Sequence, residues 1–533
     1  MDYYNKYLKY RNKYLILKND ISNHVFSEYD TKEKRKNKMT ELFDNKIKFD
    51  NKIYIIGFGA VGRPLLWLLL KMLDINPLNI TIIDEKNILN DVKNISPLKF
   101  NVKSNIELTE YNYREIFAEI EPNDIIIDAA VSINSFDMIK FCQEVGASYI
   151  NSALSNEWAY TNKESLQEPP KTLTESIYHV HKTLEELNKS FDVKNSNCII
   201  GMGCNPGNVS LWTKIGLLKI AQEQNNNNDE YDANLFKKRI KYNKLARQLG
   251  VQVIHISEKD TQIINNPKKM NEYCNTWSGT SLSYYDEAIA SVELSLGTHE
   301  PRHSFKNYLF KNNEYLILKQ MGLYTYAQSW IPFYNKFIGN LICHDESYTI
   351  GKTLTIYNKN NNKIIYKPSI YYVYQPCNAA ILSIEELKER NEKYQDNTRL
   401  LTSEIINGND ILGLTYFLKN KKIYWIGSTL GINETRDITN NEINNYINAT
   451  LLQVIVGYMT GIIHIINLNN NDIKKGLMEP DDLPVDDLIQ YQLPFLGDFI
   501  FVKKSNYKLF KINNNVNSYL NTTTKWTFKN FLI

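Results

Sequence analysis

The chain has 533 residues, with 62 Lys and Arg against 59 Asp and Glu, a net charge of +3 at pH 7. Charged residues at 23% and the hydrophobic set at 43% give a globular balance and exclude wholesale disorder. So small a net charge offers little to a phosphate backbone, which argues against nucleic-acid binding, and the length predicts two or three domains.

Residues 1–48 read as a basic helical extension. Tyr3, Tyr7, Tyr10 and Tyr14 recur with Leu8 and Leu15 at helical spacing. The run KEKRKNK at 32–38 follows as a solvated stretch of charge. Such a helix could meet a partner or a membrane surface, but packing on its own domain or fraying is the plainer expectation. The opening MDYYNKYLKYRNKYL has no apolar signal core and no small-residue cleavage site.

Next comes KIYIIGFGAVGRPLLWLLLKML, a strand, a glycine turn and an amphipathic helix, and then the strand NITIID ending at Asp84. A helix near 110–120, the strand DIIID, a helix over 134–145 and the short strand SYIN continue the alternation. NCIIGMG reads as a further strand leading into a helix over 208–221. This spacing indicates a parallel, Rossmann-type doubly wound sheet, assigned to 49–222. The polar stretch QEQNNNNDEYD opens a second domain, 223–438, rich in strands: VQVIHIS, NEYCNTWS, NEYLILKQ, YTIGKTLTIYNKNNNKIIYKPSIYYVY and ILGLTYFLKNKKIYWIGS. The fold class is therefore α/β, a doubly wound sheet plus a mixed α+β domain.

Residues 439–533 are expected to form a C-terminal helical segment on the first domain or at a dimer interface. Within it, ATLLQVIVGYMTGIIHIINL is nearly long enough to span a bilayer, and Gly457 with Gly461 makes a G-x-x-x-G pair. Gln453 and His464 would be costly in hydrocarbon, so a core or dimer helix is expected, with no membrane contact.

Gly57-Phe58-Gly59-Ala60-Val61-Gly62 lies between strand and helix, where a dinucleotide fingerprint must lie. Gly57 allows the tight turn, Gly59 lets backbone approach a pyrophosphate, and Gly62 packs helix on strand. Asp84 ends the next strand, where an acid accepts from a ribose 2′-OH and repels a 2′-phosphate, favouring NAD over NADP. The turn GCNPGN would place Asn205 at the top of the sheet, although by spacing alone a helix-capping turn is the better explanation. Past VQVIHIS, Glu258 with Trp277 one segment later could form an anionic, aromatic-walled cation site; a turn cap and a core tryptophan are the bland alternatives. His255 reads as a core histidine. No cluster has metal-ligand spacing, and no G-x-S-x-G elbow or Walker loop occurs. Six cysteines without C-x-x-C spacing read as free thiols in a reducing, cytoplasmic compartment.

GFGAVG, DAAVSINS, GMGCNPGNVS, GVQVIHISEKDTQ, NEYCNTWS, the GTHE run, ICHDE, YQPCNAAILS and YWIGSTL occur in the order seen in homospermidine synthases. The resemblance covers about 50–505, and that family has the saccharopine dehydrogenase-like fold. It implies NAD held as a prosthetic group in a homodimer, with putrescine and spermidine as substrates. It further implies a hydride relay: oxidation of putrescine to an imine, aminobutyl transfer to a second amine, and re-reduction to homospermidine.

By the same resemblance, Glu258 and Asn205 bind the reacting nitrogen and Trp277 walls the cationic chain. Glu287, two residues out of register, is a substrate-binding acid, and His344 in CHDE a functional histidine. Glu157 in SNEWAY approximates a carboxylate of an E-P-W motif whose Pro is absent here. The same fold also allows a carboxyspermidine- or saccharopine-type dehydrogenase, which would need Arg or Lys where Glu258 and Glu287 stand. A non-catalytic NAD- or polyamine-binding protein is the rival of another class.

Overall fold

A computed structural model describes residues 29–130, 133–156, 158, 176–224, 241–279, 287–301, 307–504 and 526–533. Two large sheets carry the fold. The first has seven strands, all parallel, in the spatial order Gly476–Met478, Asn197–Ile199, Ser148–Asn151, Ile125–Asp128, Ile53–Ile56, Ile80–Asp84, Asn101–Ser104. Its central strands are isoleucine runs buried along their length, as helices on both faces require. The chain runs outward in one direction from Ile53–Ile56 and later in the other through Ile125–Asp128. The crevice where the order reverses is where open α/β sheets bind ligands.

The second sheet has ten strands of mixed direction. At its centre Val251–Asp260 pairs parallel with Ser369–Gln375 and antiparallel with Asn409–Leu418, which turns back into Ile423–Gly431. The α/β class and the pairing of a Rossmann-type sheet with a mixed unit are as expected. The helix Asn208–Gln224 is buried along nearly its whole length. It lies under the second sheet, where Tyr416 donates its hydroxyl to the Thr213 carbonyl (3.0 Å). A boundary at 222 therefore cuts an element that both units share.

The C-terminal stretch is more than helix. Gly476–Met478 edges the first sheet and Asp498–Lys504 edges the second, so one segment stitches the units together. The helix Ala449–Asn470 is long and apolar enough to cross a membrane, yet 89% of its most apolar window is buried inside the molecule. A side chain on Gly457 would lie 1.9 Å from the Gly203 carbonyl oxygen, and one on Gly461 2.5 Å from Ile150 Cδ1. The small-residue face thus seats the helix on its own sheet. Gln453 donates to Asp410 (3.0 Å), and its carbonyl accepts from Asn208 (3.1 Å).

Two local expectations are corrected. The charge run 32–38 opens the helix Lys32–Asp44, and its Arg35 is buried between Glu434 (2.7 Å) and Asp498 (3.0 Å). Those acids lie 399 and 463 residues further along, beyond any local reading of charge pattern. The preceding residues 1–28 lie outside the described residues. YTIGKT, read as strand, belongs to the helix Glu346–Thr353, most of which is buried; packing overrides its β-branched composition.

Candidate active site

The glycine turn closes the strand Ile53–Ile56 and opens the helix Gly62–Met72. Gly57 has φ +83°, and a side chain there would meet Ala130 N at 2.9 Å; one on Gly62 would lie 2.1 Å from the Gly57 carbonyl oxygen. Around Gly59 nothing lies within 4 Å of that position, so one face of the turn is open to a phosphate while the other is closed by packing. Phe58, Ala60 and Val61 complete it. Asp84 accepts from the backbone N–H of Phe58 (2.7 Å) and of Lys86 (2.8 Å), one bond to each oxygen, which leaves a lone pair on each for ribose hydroxyls. These residues fit a dinucleotide.

Asn205 follows the strand Asn197–Ile199 at the same edge of the sheet. Gly207 (φ +130°) packs on Gly203, where a side chain would strike its carbonyl oxygen at 2.0 Å, and that tight turn presents Asn205. Its amide donates to Glu258 Oε2 (3.0 Å), and the hydroxyl of Tyr372 donates to the same oxygen (2.6 Å). Glu258 is 3% exposed.

Strand periodicity explains the company it keeps. On Val251–Asp260, His255 and Ser257 point to the outer core, where His255 lies between the Ser329 (2.9 Å) and Tyr371 (2.7 Å) hydroxyls. Glu258 and Asp260 point the other way. Register places Tyr374 beside Glu258, and Leu412 and Asp410 beside Glu258 and Asp260. Three carboxyl groups therefore share one face. Asp260 is tied by Thr276 (2.7 Å) and Gln262 (2.8 Å to its backbone N–H). Asp410 lies within hydrogen-bond reach of Glu258, and its Oδ1 has no donor among the described residues. Burial holds all three above the usual carboxylate range; Asp260 adds repulsion on Glu258, and both of those acids add it on Asp410.

His344 lies across from this face, its ring 4.8 Å from that of Tyr372. Nδ1 is 2.9 Å from Glu346 Oε2, and Nε2 is 3.7 Å from Glu287 Oε1. Burial opposes a charge on the ring, but Glu346 and Glu287 outweigh it and raise its pKa well above the ordinary value. Trp277 stands edge-on to Tyr374 (5.5 Å, 75°), which stacks on Tyr372 (5.5 Å, 16°). Asn275 accepts from the backbone N–H of Trp277 (2.9 Å) and Ser278 (2.7 Å). A side chain on Gly279 would touch Ala60 at 3.9 Å, so the tryptophan loop reaches the glycine turn.

The fold thus brings Asn205, Glu258, Trp277, Glu287 and His344 into one cluster of contacts and sets its tryptophan loop against Gly57–Gly62. Glu157 lies outside the described residues. Sequence reasoning missed Asp260, Asp410, Glu346, Tyr372 and Tyr374. Glu346 stands two residues from His344, and the tyrosines alternate in SIYYVYQ, so period-two spacing was the available signal. Asp410 carries no local signal, since only antiparallel pairing brings it to Asp260. Lys259, between two of the acids, points away and lies over the Tyr334 ring at 5.3 Å.

A family model described as the saccharopine dehydrogenase NADP binding domain matches residues 53–199. Among curated proteins, the homospermidine synthase of Blastochloris viridis is 28% identical over 495 residues, 91% of this chain and 98% of its own length. That of Mesorhizobium japonicum is 27% identical over 454 residues, 84% and 88%. The crystal structure of homospermidine synthase from Legionella pneumophila in complex with NAD superposes with a TM-score of 0.77 at 31% identity, covering 92% of this chain and 99% of that one. With that likeness along almost the whole length of both chains, this chain belongs to the homospermidine synthase family.

Proposed function

We propose that the chain makes homospermidine, passing an aminobutyl group from putrescine or spermidine to a second putrescine, with NAD in the Gly57–Gly62 turn. The observation that carries this reading is the acid-rich, aromatic-walled site: Glu346 and Glu287 flank His344, and across from it Glu258, Asp260 and Asp410 share one sheet face. Such a pocket attracts polycations. When bound, the nicotinamide takes hydride from an amine-bearing carbon and later returns it, so no external reductant is consumed.

The chain's own groups bind, deprotonate and exclude water. Asn205 and Tyr372 both occupy Glu258 Oε2, which leaves Oε1 for the reacting amine. A Glu258 of raised proton affinity can take the ammonium proton, freeing the nitrogen lone pair. His344, charged between Glu346 and Glu287, can give a proton to the departing nitrogen when the second amine adds. Trp277, Tyr374 and Tyr372 flank the methylene chain and its cationic ends. Asp84 favours NAD over the 2′-phosphorylated cofactor. A dehydrogenase acting on carboxylate substrates is disfavoured, because acids stand where it would need cations.

Incubation of the purified protein with putrescine and NAD alone should yield homospermidine and ammonia in equal amounts, with no net NADH. NADP should be a poor substitute. Bound cofactor without product would favour a non-catalytic binding protein. Trp277→Glu should lower kcat/KM at least about thirtyfold, the upper end of a desolvated cation–π contact. Trp277→Phe should keep most activity, and both should retain bound cofactor by absorbance. Trp277→Glu turning over at the wild-type rate would remove the aromatic wall from the site.

A further inference from the structure

Behind the pocket, the helix Ile177–Ser190 crosses between two strands of the parallel sheet and is gripped by the second unit. Glu293, from the mixed sheet, accepts the backbone N–H of Ile177 (3.1 Å) and Tyr178 (3.3 Å), the helix N-terminal groups most in need of an acceptor. One turn on, His181 is 2% exposed. Its Nε2 lies 2.9 Å from Asp345 Oδ1 and its Nδ1 3.1 Å from Glu479 Oε1. Carboxylates at both ring nitrogens require both to donate, and only the imidazolium does so. Burial opposes that charge, but the two acids prevail and raise its pKa to about 9.

The remaining charges facing the ring are compensated. Glu479 also accepts from Lys352 (2.8 Å), which reaches Glu185 (3.1 Å) on the helix of His181 itself. Lys182 pairs with Glu185 at 3.4 Å. Tyr348 stacks on the imidazole (4.9 Å, 22°) and donates to Glu185 (2.8 Å).

Asp345 sits between His344 and Glu346 in sequence. The four residues 343–346 divide by neighbour: Cys343 interacts with Glu293 and Asp345 with His181, while His344 and Glu346 pair on the amine side. We infer that His181 is a positioning residue for this pocket. As an imidazolium against Asp345, it fixes the turn that presents His344 and Glu346, and it cancels the one carboxylate of that turn that substrate does not use. The inference rests on assigning His344 and Glu346 to the amine site.

His181→Gln leaves an extra buried negative charge one residue from His344. Both limbs of the kcat/KM pH profile with putrescine should then move up by about 0.5 unit or more, and kcat should fall at least about tenfold through the loosened turn. Asp345→Asn leaves the opposite imbalance and should move the limbs down. His181→Gln/Asp345→Asn should return them to their wild-type positions. A residue that merely stabilised the fold would lower the amplitude of these profiles without moving them. Single and double variants whose limbs all coincide with wild type overturn the inference, and Asp345→Asn with the double variant decides it should His181→Gln not fold. His344→Asn run in parallel separates the two readings. If it is fully active, the site assignment itself fails; if it is inactive while His181→Gln keeps wild-type limbs, only the role of His181 fails.

Discussion

Glu258→Gln should leave the protein folded and cofactor-bound but cost at least a hundredfold in kcat/KM for putrescine. The amide carbonyl can still accept from Asn205 and Tyr372, as Oε2 does now. The amide nitrogen then occupies the other position and presents N–H donors to an incoming ammonium. Removing one member of a buried, hydrogen-bonded charge pair costs about 3 kcal/mol or more, which is roughly a hundredfold in rate. A second readout has the opposite sign. Glu258 has a raised pKa in the folded state, chiefly from burial, so folding loses stability as pH rises from the unfolded value through the folded one. The neutral variant does not carry that loss. Without substrate at pH 8, Glu258→Gln should therefore melt above wild type, while putrescine should raise the melting temperature of wild type alone. A variant with wild-type kinetics, or one melting lower with no response of wild type to putrescine, would mean that Glu258 is not the amine's counter-charge.

The gain in stability is the familiar cost of a binding site seen from the other side. Three carboxyl groups on one sheet face are a poor solution for a folded chain and a good one for a diamine. The buried Tyr374 hydroxyl and Asp410 Oδ1 have no hydrogen-bond partner among the described residues, which is uncommon in native interiors. Both lie on the face that carries Glu258 and Asp260.

How far the sequence went can be judged residue by residue. The parallel sheet was legible because Ile-rich strands, a glycine turn and amphipathic helices follow one another at short range. The glycine turn was legible by its own chemistry. Glu258 and Trp277 were visible as candidates by position, but their joint role came from resemblance, since each alone reads equally as a turn cap or as core. Asp410 was invisible: it lies about 150 residues beyond Asp260, and only antiparallel register joins them. Arg35 was misread for the same reason, because a charge run shows no trace of distant acids. The helix Glu346–Thr353 was misread through its β-branched residues, where tertiary packing outweighs propensity.

Gly457→Ala should destabilise the protein by about 3 kcal/mol, the upper end of overpacking costs, even though alanine is worth about 1 kcal/mol over glycine as a helix former. The new methyl would lie 1.9 Å from the Gly203 carbonyl oxygen and 2.5 Å from its carbon. Backbone cannot rotate aside as a side chain does, so helix and turn must separate. That turn also carries Asn205, whose side-chain hydrogen bond to Glu258 joins the two units. Any Gly457→Ala protein that folds should therefore lose activity out of proportion to the fraction unfolded. Gly461→Ala is the internal comparison: its methyl would meet Ile150 Cδ1 at 2.5 Å and Met202 Cγ at 2.8 Å, side-chain atoms that can yield where backbone cannot, so its cost should be smaller. Denaturant midpoints and putrescine kinetics on the two variants check the ordering. Were the glycine face a contact between helices of different chains, Gly457→Ala would weaken assembly and leave the Asn205 turn untouched; a dissociated but fully active Gly457→Ala monomer would decide for that arrangement.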